Sequence, residues 1–113
     1  MTSQTAKMIV RNIGNTLTRL AELQTVRYKG ESERYNDSIP ESFSALLDDR
    51  ERDPMGIKDR LAWCLYLADG LGELMFEYER RFFTCEERSE MLRAYDLLKI
   101  VRVDDNGVFS IDY

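Results

Sequence analysis

Apolar residues recur at Ile57, Leu61, Cys64, Ala68, Leu71, Met75, Tyr78 and Phe82, in alternating steps of four and three. That spacing keeps one stripe on a helix face and predicts a helix over 57–82. A second set, Trp63, Leu67 and Leu74, runs beside it, and between Leu61 and Ala68 the chain is apolar almost all round. A helix of that composition is expected inside a core rather than on its surface. Gly70-Leu71-Gly72 interrupts the run, which predicts a kink or a very close neighbour.

The same periodicity predicts a first helix over 3–29, with Ile9, Ile13, Leu17, Leu20 and Leu23 as its buried stripe, widened by Ala6, Val10 and Ala21. Ser3 is the expected N-cap and Gly30 the stop. Gly14 falls mid-helix, where glycine costs about 1 kcal/mol relative to alanine; it either permits a close crossing or is a tolerated weakness. Residues 30–39 are polar and read as a loop. A short helix over 40–52 is expected to open on Pro40, with Ser38 and Glu41 as a capping box and Phe43, Leu46 and Leu47 as its apolar face. Asp53-Pro54-Met55-Gly56 is a break. Thr84 and Glu87 form a second capping box, opening a helix over 85–98 with Met91, Leu92, Tyr95 and Leu98 on one side.

Over 100–113 the period changes from 3.6 to 2, and Asn106-Gly107 is a strong hairpin signal. A turn centred on those two residues sets Val103 opposite Ser110 and Val101 opposite Asp112. One face then carries Val101, Val103 and Val108, and the other Ile100, Phe109, Ile111 and Tyr113. A hairpin apolar on both sides must lie on the helices or pair with something else. The expected fold is all-α in the main: a single four-helix bundle-like domain over 1–113, with a C-terminal β-hairpin.

With 113 residues and 43% hydrophobic content, the chain can bury a core and is not a disordered composition. Its net charge of −5 is unevenly placed. Residues 1–30 hold five cations against Glu22 alone, whereas residues 31–113 hold 11 cations and 20 acids. A basic first helix on an acidic body points first to complementarity within the fold and second to a two-signed surface. The start lacks an apolar leader pattern, and no run reaches the length of a membrane span. Cys64 and Cys85 have no CxxC partner, so reduced thiols and a cytoplasmic location are expected.

Histidine is absent, which removes the commonest general base, the commonest metal ligand and every Ser-His or Cys-His pair. No phosphate-cradling glycine motif is present. No catalytic, cofactor-binding or metal residue is therefore assigned, and the expected protein is not an enzyme. One alternative rests on carboxylates. Asp69, Glu73 and Glu77 stand at i, i+4 and i+8, and Glu86, Glu87 and Glu90 crowd the next helix start. Carboxylates on adjacent helices can hold Mg²⁺, as in helical nucleotide hydrolases. The plainer reading is a solvated helix face, with Arg80 or Arg81 near enough to pair at i,i+3 or i,i+4.

A helix opening on Thr84-Cys85-Glu86-Glu87 and followed by a hairpin resembles the final part of winged-helix domains. That resemblance covers about thirty residues and implies nucleic-acid binding through a recognition helix and a wing. Against it, Glu86, Glu87, Glu90 and the Asp104-Asp105-Asn106 tip would repel phosphate, where cations are needed.

The reading with fewest special assumptions is a small acidic binding protein, a regulator or inhibitor that occupies a partner protein's surface. Aromatics make up 11% of the chain, and tyrosine is favoured at interfaces. The candidate interface comprises Tyr28, Tyr35, Glu73, Glu77, Phe83, Glu86, Glu87, Glu90, Asp104, Asp105, Phe109 and Tyr113. An acidic body suits a basic partner surface, including one that otherwise holds nucleic acid. In size and charge the chain is similar to phage and mobile-element inhibitors such as anti-CRISPR and anti-restriction proteins. A homodimer is a further way to bury the central helix and the hairpin.

Overall fold

Ile57, Leu61, Cys64, Ala68, Leu71 and Met75 are all buried, so the alternating spacing marks the inward side of the central helix. The structure is a computed structural model that describes residues 2–28, 34–48 and 54–113, with side chains from 38 onward in the second stretch and from 56 onward in the third. It is mostly helical, with four α-helices and one two-stranded antiparallel hairpin. The α-helices are α1 (Ser3–Arg27), α2 (Arg34–Leu46), α3 (Pro54–Glu73) and α4 (Cys85–Lys99). A π turn (Leu74–Tyr78) and a 3₁₀ turn (Arg80–Phe82) lie between α3 and α4. Strands β1 (Val101–Val103) and β2 (Phe109–Ile111) close the chain.

At about 1.5 Å per residue, α1 runs most of the 42 Å long axis of the molecule. It packs on α2, α4 and β2, while α3 packs on α2, α4 and β1. Thr2, one residue before the expected cap, receives the Thr5 N–H on its Oγ1 at 3.1 Å. Ser3 Oγ instead accepts the Phe109 N–H at 3.3 Å, tying the hairpin to the start of α1. The expected stop at Gly30 lies outside the described residues. Gly14 permits a close crossing: a Cβ there would stand 2.8 Å from Phe43 Cγ on α2.

The bounds of α2 and α3 differ from expectation. α2 begins at Arg34, six residues before Pro40, so the expected 30–39 loop is helical from 34 on and Ser38 and Glu41 lie inside the helix. Burial of Ile39 alongside Phe43 and Leu46 favours this longer helix, because all three then share one face. Pro40 removes one backbone donor within it. α2 ends at Leu46 rather than 52. α3 opens at Pro54, inside the expected break, where proline suits a first turn. The α-helix continues through Gly70-Leu71-Gly72 and changes only at Leu74. There the Glu79 N–H reaches back five residues to Leu74 O at 2.7 Å. The single helix expected over 57–82 is therefore three segments. The buried Glu79 carboxylate that follows accepts a hydrogen bond from buried Gln24 Nε2 at 3.2 Å.

The expectation of a central helix buried all round is corrected. Trp63 is 52% exposed and Tyr66 65% exposed. At about 100° per residue, Tyr66 lies opposite the buried stripe and Trp63 roughly 120° from it. Tyr78 is also exposed, because the π turn rotates the chain after Met75.

The hairpin pairs one residue out of the expected register: Val101 faces Ile111, Arg102 faces Ser110 and Val103 faces Phe109. Its loop has three residues rather than two. Gly107 N–H donates to Asp104 O at 3.0 Å, Asp104 N–H donates to Val108 O at 3.1 Å, and Gly107 takes φ 78°. A type I turn followed by a glycine in the left-handed region is the common three-residue solution. Asp104 Oδ1 accepts from the Asn106 and Val108 N–H groups, at 2.8 and 2.9 Å. A one-residue change of register moves a strand's side chains to the other face. Val101, Val103, Phe109 and Ile111 now share the inward side, with Arg102 and Ser110 outside. The hairpin is thus apolar on one face and covers the core, with Lys7 of α1 over the Phe109 ring.

Candidate functional site

The basic first helix is matched inside the molecule. Arg19 of α1 pairs with Glu90 of α4. Arg27 Nη1 donates to Glu87 Oε1 at 2.7 Å and to the Phe82 carbonyl at 3.0 Å. Glu87 also closes the capping box, accepting the Thr84 N–H at 2.8 Å while Thr84 Oγ1 accepts the Glu87 N–H at 3.1 Å. The Arg27 guanidinium and the Thr84 N–H together hold the Glu87 carboxyl down to about 2. Complementarity within the fold is realised at this seam.

The sequence-chosen interface residues therefore separate. Phe83 and Phe109 are buried core members rather than surface anchors. Phe83 terminates the 3₁₀ turn with its side chain inward, and Phe109 was turned inward by the hairpin register. Glu87 and Glu90 are engaged by α1. Tyr28 packs its ring against Phe82 at 5.6 Å between centroids. Asp104 braces the hairpin loop, and Asp105 pairs with Lys58 at 2.5 Å. The Tyr35 side chain lies outside the described residues. Glu73, Glu77, Glu86 and Tyr113 are exposed.

A different set of residues comes together on the outward side of α3. Trp63 and Tyr66 stack at 5.3 Å between ring centroids with planes 19° apart. Asp59, Asp69, Glu73 and Glu77 are exposed on the same general side of the segment. Next to them an open groove of about 370 Å³ runs between α3, the π turn and α4. Gly72, Phe76 and Leu92 line it above the buried Ala68 and Met91, together with Asp69, Glu73, Glu77 and Tyr95. Burial first, and then the nearby Asp69 carboxylate, raise the Tyr95 phenol above its ordinary value.

Among the described residues no cation pairs with Glu73 or Glu77. The pairs expected from Arg80 and Arg81 do not form, because the π and 3₁₀ turns end the i,i+4 spacing before those residues; Arg81 lies over the Phe82 ring instead. The carboxylates are strung along the helix rather than converging, and among the described residues no three His, Cys, Asp or Glu side chains are placed to hold a metal ion. Cys64 and Cys85 are both free, and burial pushes the Cys64 thiol up to about 12, leaving it protonated. Among the described residues no helix is long and apolar enough to cross a membrane.

The winged-helix resemblance meets a further obstacle in the packing. The first turns of α4, where a recognition helix would be free, are tied to α1 through Glu87 and Glu90. No family model, no curated protein and no solved structure matches the chain.

The sequence reading places Trp63 in the core and does not include Tyr66 in the candidate interface. The signal was present: once Ile57 to Met75 fix the inward side, helical geometry turns Trp63 and Tyr66 outward. Leu92, read as part of the inward side of α4, is 51% exposed at the groove. Nothing in its spacing separates it from Met91.

Proposed function

We propose that this chain is a non-enzymatic binding protein that occupies a partner protein's basic surface with the outward side of α3. The stacked, exposed Trp63–Tyr66 pair beside a row of carboxylates carries this reading. Trp and Tyr are enriched among residues that dominate interface energetics, and an exposed aromatic pair rimmed by charge suits a docking surface better than a solvated one. Carboxylates beside an aromatic face favour arginine in the partner, which stacks on rings and pairs with acids at once. A regulator or inhibitor that blocks a surface otherwise holding nucleic acid is the form of this reading that the charge favours.

Trp63 is the single tryptophan in the chain, so it reports on its own surface. The test is affinity capture from the native host with wild type and Trp63→Ala/Tyr66→Ala in parallel, then titration of the purified partner. Docking should shift the indole emission to shorter wavelength, and Tyr66→Ala should weaken binding about tenfold or more. A purified partner that binds the double variant as tightly as wild type ends the proposal.

A further inference from the structure

The groove beside the aromatic pair combines two features that a solvated helix face does not need together. Its floor is apolar, and its depth at Gly72 comes from a missing side chain: a Cβ there would meet only Met91 side-chain atoms, the nearest at 3.6 Å. Its edge carries Asp69, Glu73 and Glu77, the last two without a cation among the described residues. Glu87, Glu90 and Asp105 meet cations across element seams, whereas Glu73 and Glu77, like the exposed Glu22, Asp59 and Glu86, meet none among the described residues. What sets Glu73 and Glu77 apart is that they edge this groove. Among the described residues these carboxylates do not gather into a group placed to hold one metal ion, so a row of separate cations is the complement they fit. An apolar trough with charge along one edge is complementary to a chain segment that has an apolar stripe with cations beside it.

We infer that the groove between α3 and α4 seats an amphipathic basic helix of the partner protein, an apolar side chain resting at Gly72 between Phe76 and Leu92 while neighbouring arginines meet Asp69, Glu73 and Glu77. This rests on the reading of the α3 surface as a protein-docking face and assigns the class of segment that docks there. The helix lies along the groove, so that one apolar anchor fills the space above Gly72. Arginine is favoured over lysine because its planar fork bonds carboxylates with two parallel donors. Leu92 and Phe76 flank the anchor and exclude water from it.

The probe is a fluorescein-labelled synthetic helix of about four turns, with leucine at i and i+4 and arginine at the flanking positions. A peptide of the same composition, shuffled to abolish the stripe, and spermine are the comparison ligands. Anisotropy at about 0.15 M salt should show the amphipathic peptide binding about tenfold or more tighter than the shuffled one. Gly72→Leu, which fills the trough, and Glu73→Gln/Glu77→Gln, which removes charge at exposed positions, should each lose that preference while helicity by circular dichroism is kept. Equal binding of the shuffled peptide, competition by spermine at equal strength, or indifference to both variants overturns the inference. A captured partner that is lost by Trp63→Ala/Tyr66→Ala but retained by both groove variants leaves the docking face standing and removes only the groove.

Discussion

Two seams run along α4, and they are built on opposite terms. On the α1 side, Arg19 and Arg27 meet Glu90 and Glu87, and Glu87 doubles as a helix cap. On the α3 side, Glu73 and Glu77 meet no cation among the described residues, and the space above Gly72 is left open. The packing of the two long helices differs in the same way. Gly14 of α1 is filled by the Phe43 ring, whereas Gly72 of α3 faces only the end of the Met91 side chain. Both seams leave an open groove, but acids on the α1 side are paired within the fold while Glu73 and Glu77 on the α3 side are not, among the described residues. Acidity alone therefore says little about function; which acids are already matched says more.

The largest gross effect expected comes from Gly14→Ala, where α1 crosses α2. Alanine is the better helix former by about 1 kcal/mol. Its methyl would nevertheless overlap the Phe43 ring root, and overpacking of that kind costs about 1–3 kcal/mol. Urea unfolding should show a net loss of stability. A gain would mean that α2 can retreat and that the crossing is looser than its 2.8 Å approach implies.

Next in size is Glu87→Ala, which removes a cap arm and an ion pair and should cost about 1–2 kcal/mol in the same assay. Its pH dependence has a definite sign. The carboxyl is held down to about 2 in the folded chain, against about 4.3 for an ordinary glutamate. Its contribution is therefore present above that ordinary value and is lost as pH falls through about 2. The difference in unfolding midpoint between wild type and Glu87→Gln should be full near neutrality and shrink towards pH 2. A difference that grows in acid would contradict the Arg27–Glu87 pairing.

At the α3 seam the signs reverse. Gly72→Ala should raise stability by about 0.5–1 kcal/mol, since the new methyl makes only ordinary contact with Met91. Thermal unfolding would resolve this, and destabilisation would show that the groove floor is already full. Smallest of all, Glu73→Gln and Glu77→Gln should change stability by less than about 0.5 kcal/mol each, as changes at exposed charges unpaired among the described residues do. A larger loss by calorimetry would reveal a structural role for the row and erase the contrast between the seams.

Much of the fold was legible in the chain. Steps of four and three from Ile57 to Met75 located the inward stripe, and Thr84-Cys85-Glu86-Glu87 marked the start of α4 together with both arms of its cap. The basic first helix announced its acidic complement, though not which acids would answer. The candidate site was far less legible. Glu73 and Glu77 were picked out, but beside Phe83 and Phe109, which are buried, and beside Glu87 and Glu90, which are matched. A list of acids and aromatics carries no record of which neighbours fold onto them.

Local chemistry decided what the sequence alone could decide: helical periodicity, caps and a chain reversal at Asn106-Gly107 depend on residues within a few positions of each other. Three outcomes needed the tertiary structure. The hairpin register required Phe109 to find the start of α1, and one added loop residue then turned its whole strand inward. The end of α3 required the switch to a π turn at Leu74, which left Arg80 and Arg81 unable to neutralise the carboxylate row. The exposed Trp63–Tyr66 face required the helix count to leave one side of α3 uncovered: α2 and α4 pack against it, and no fifth helix stands on its outward face among the described residues. Burial is a property of what is packed against a side chain, and apolar character only makes that packing favourable.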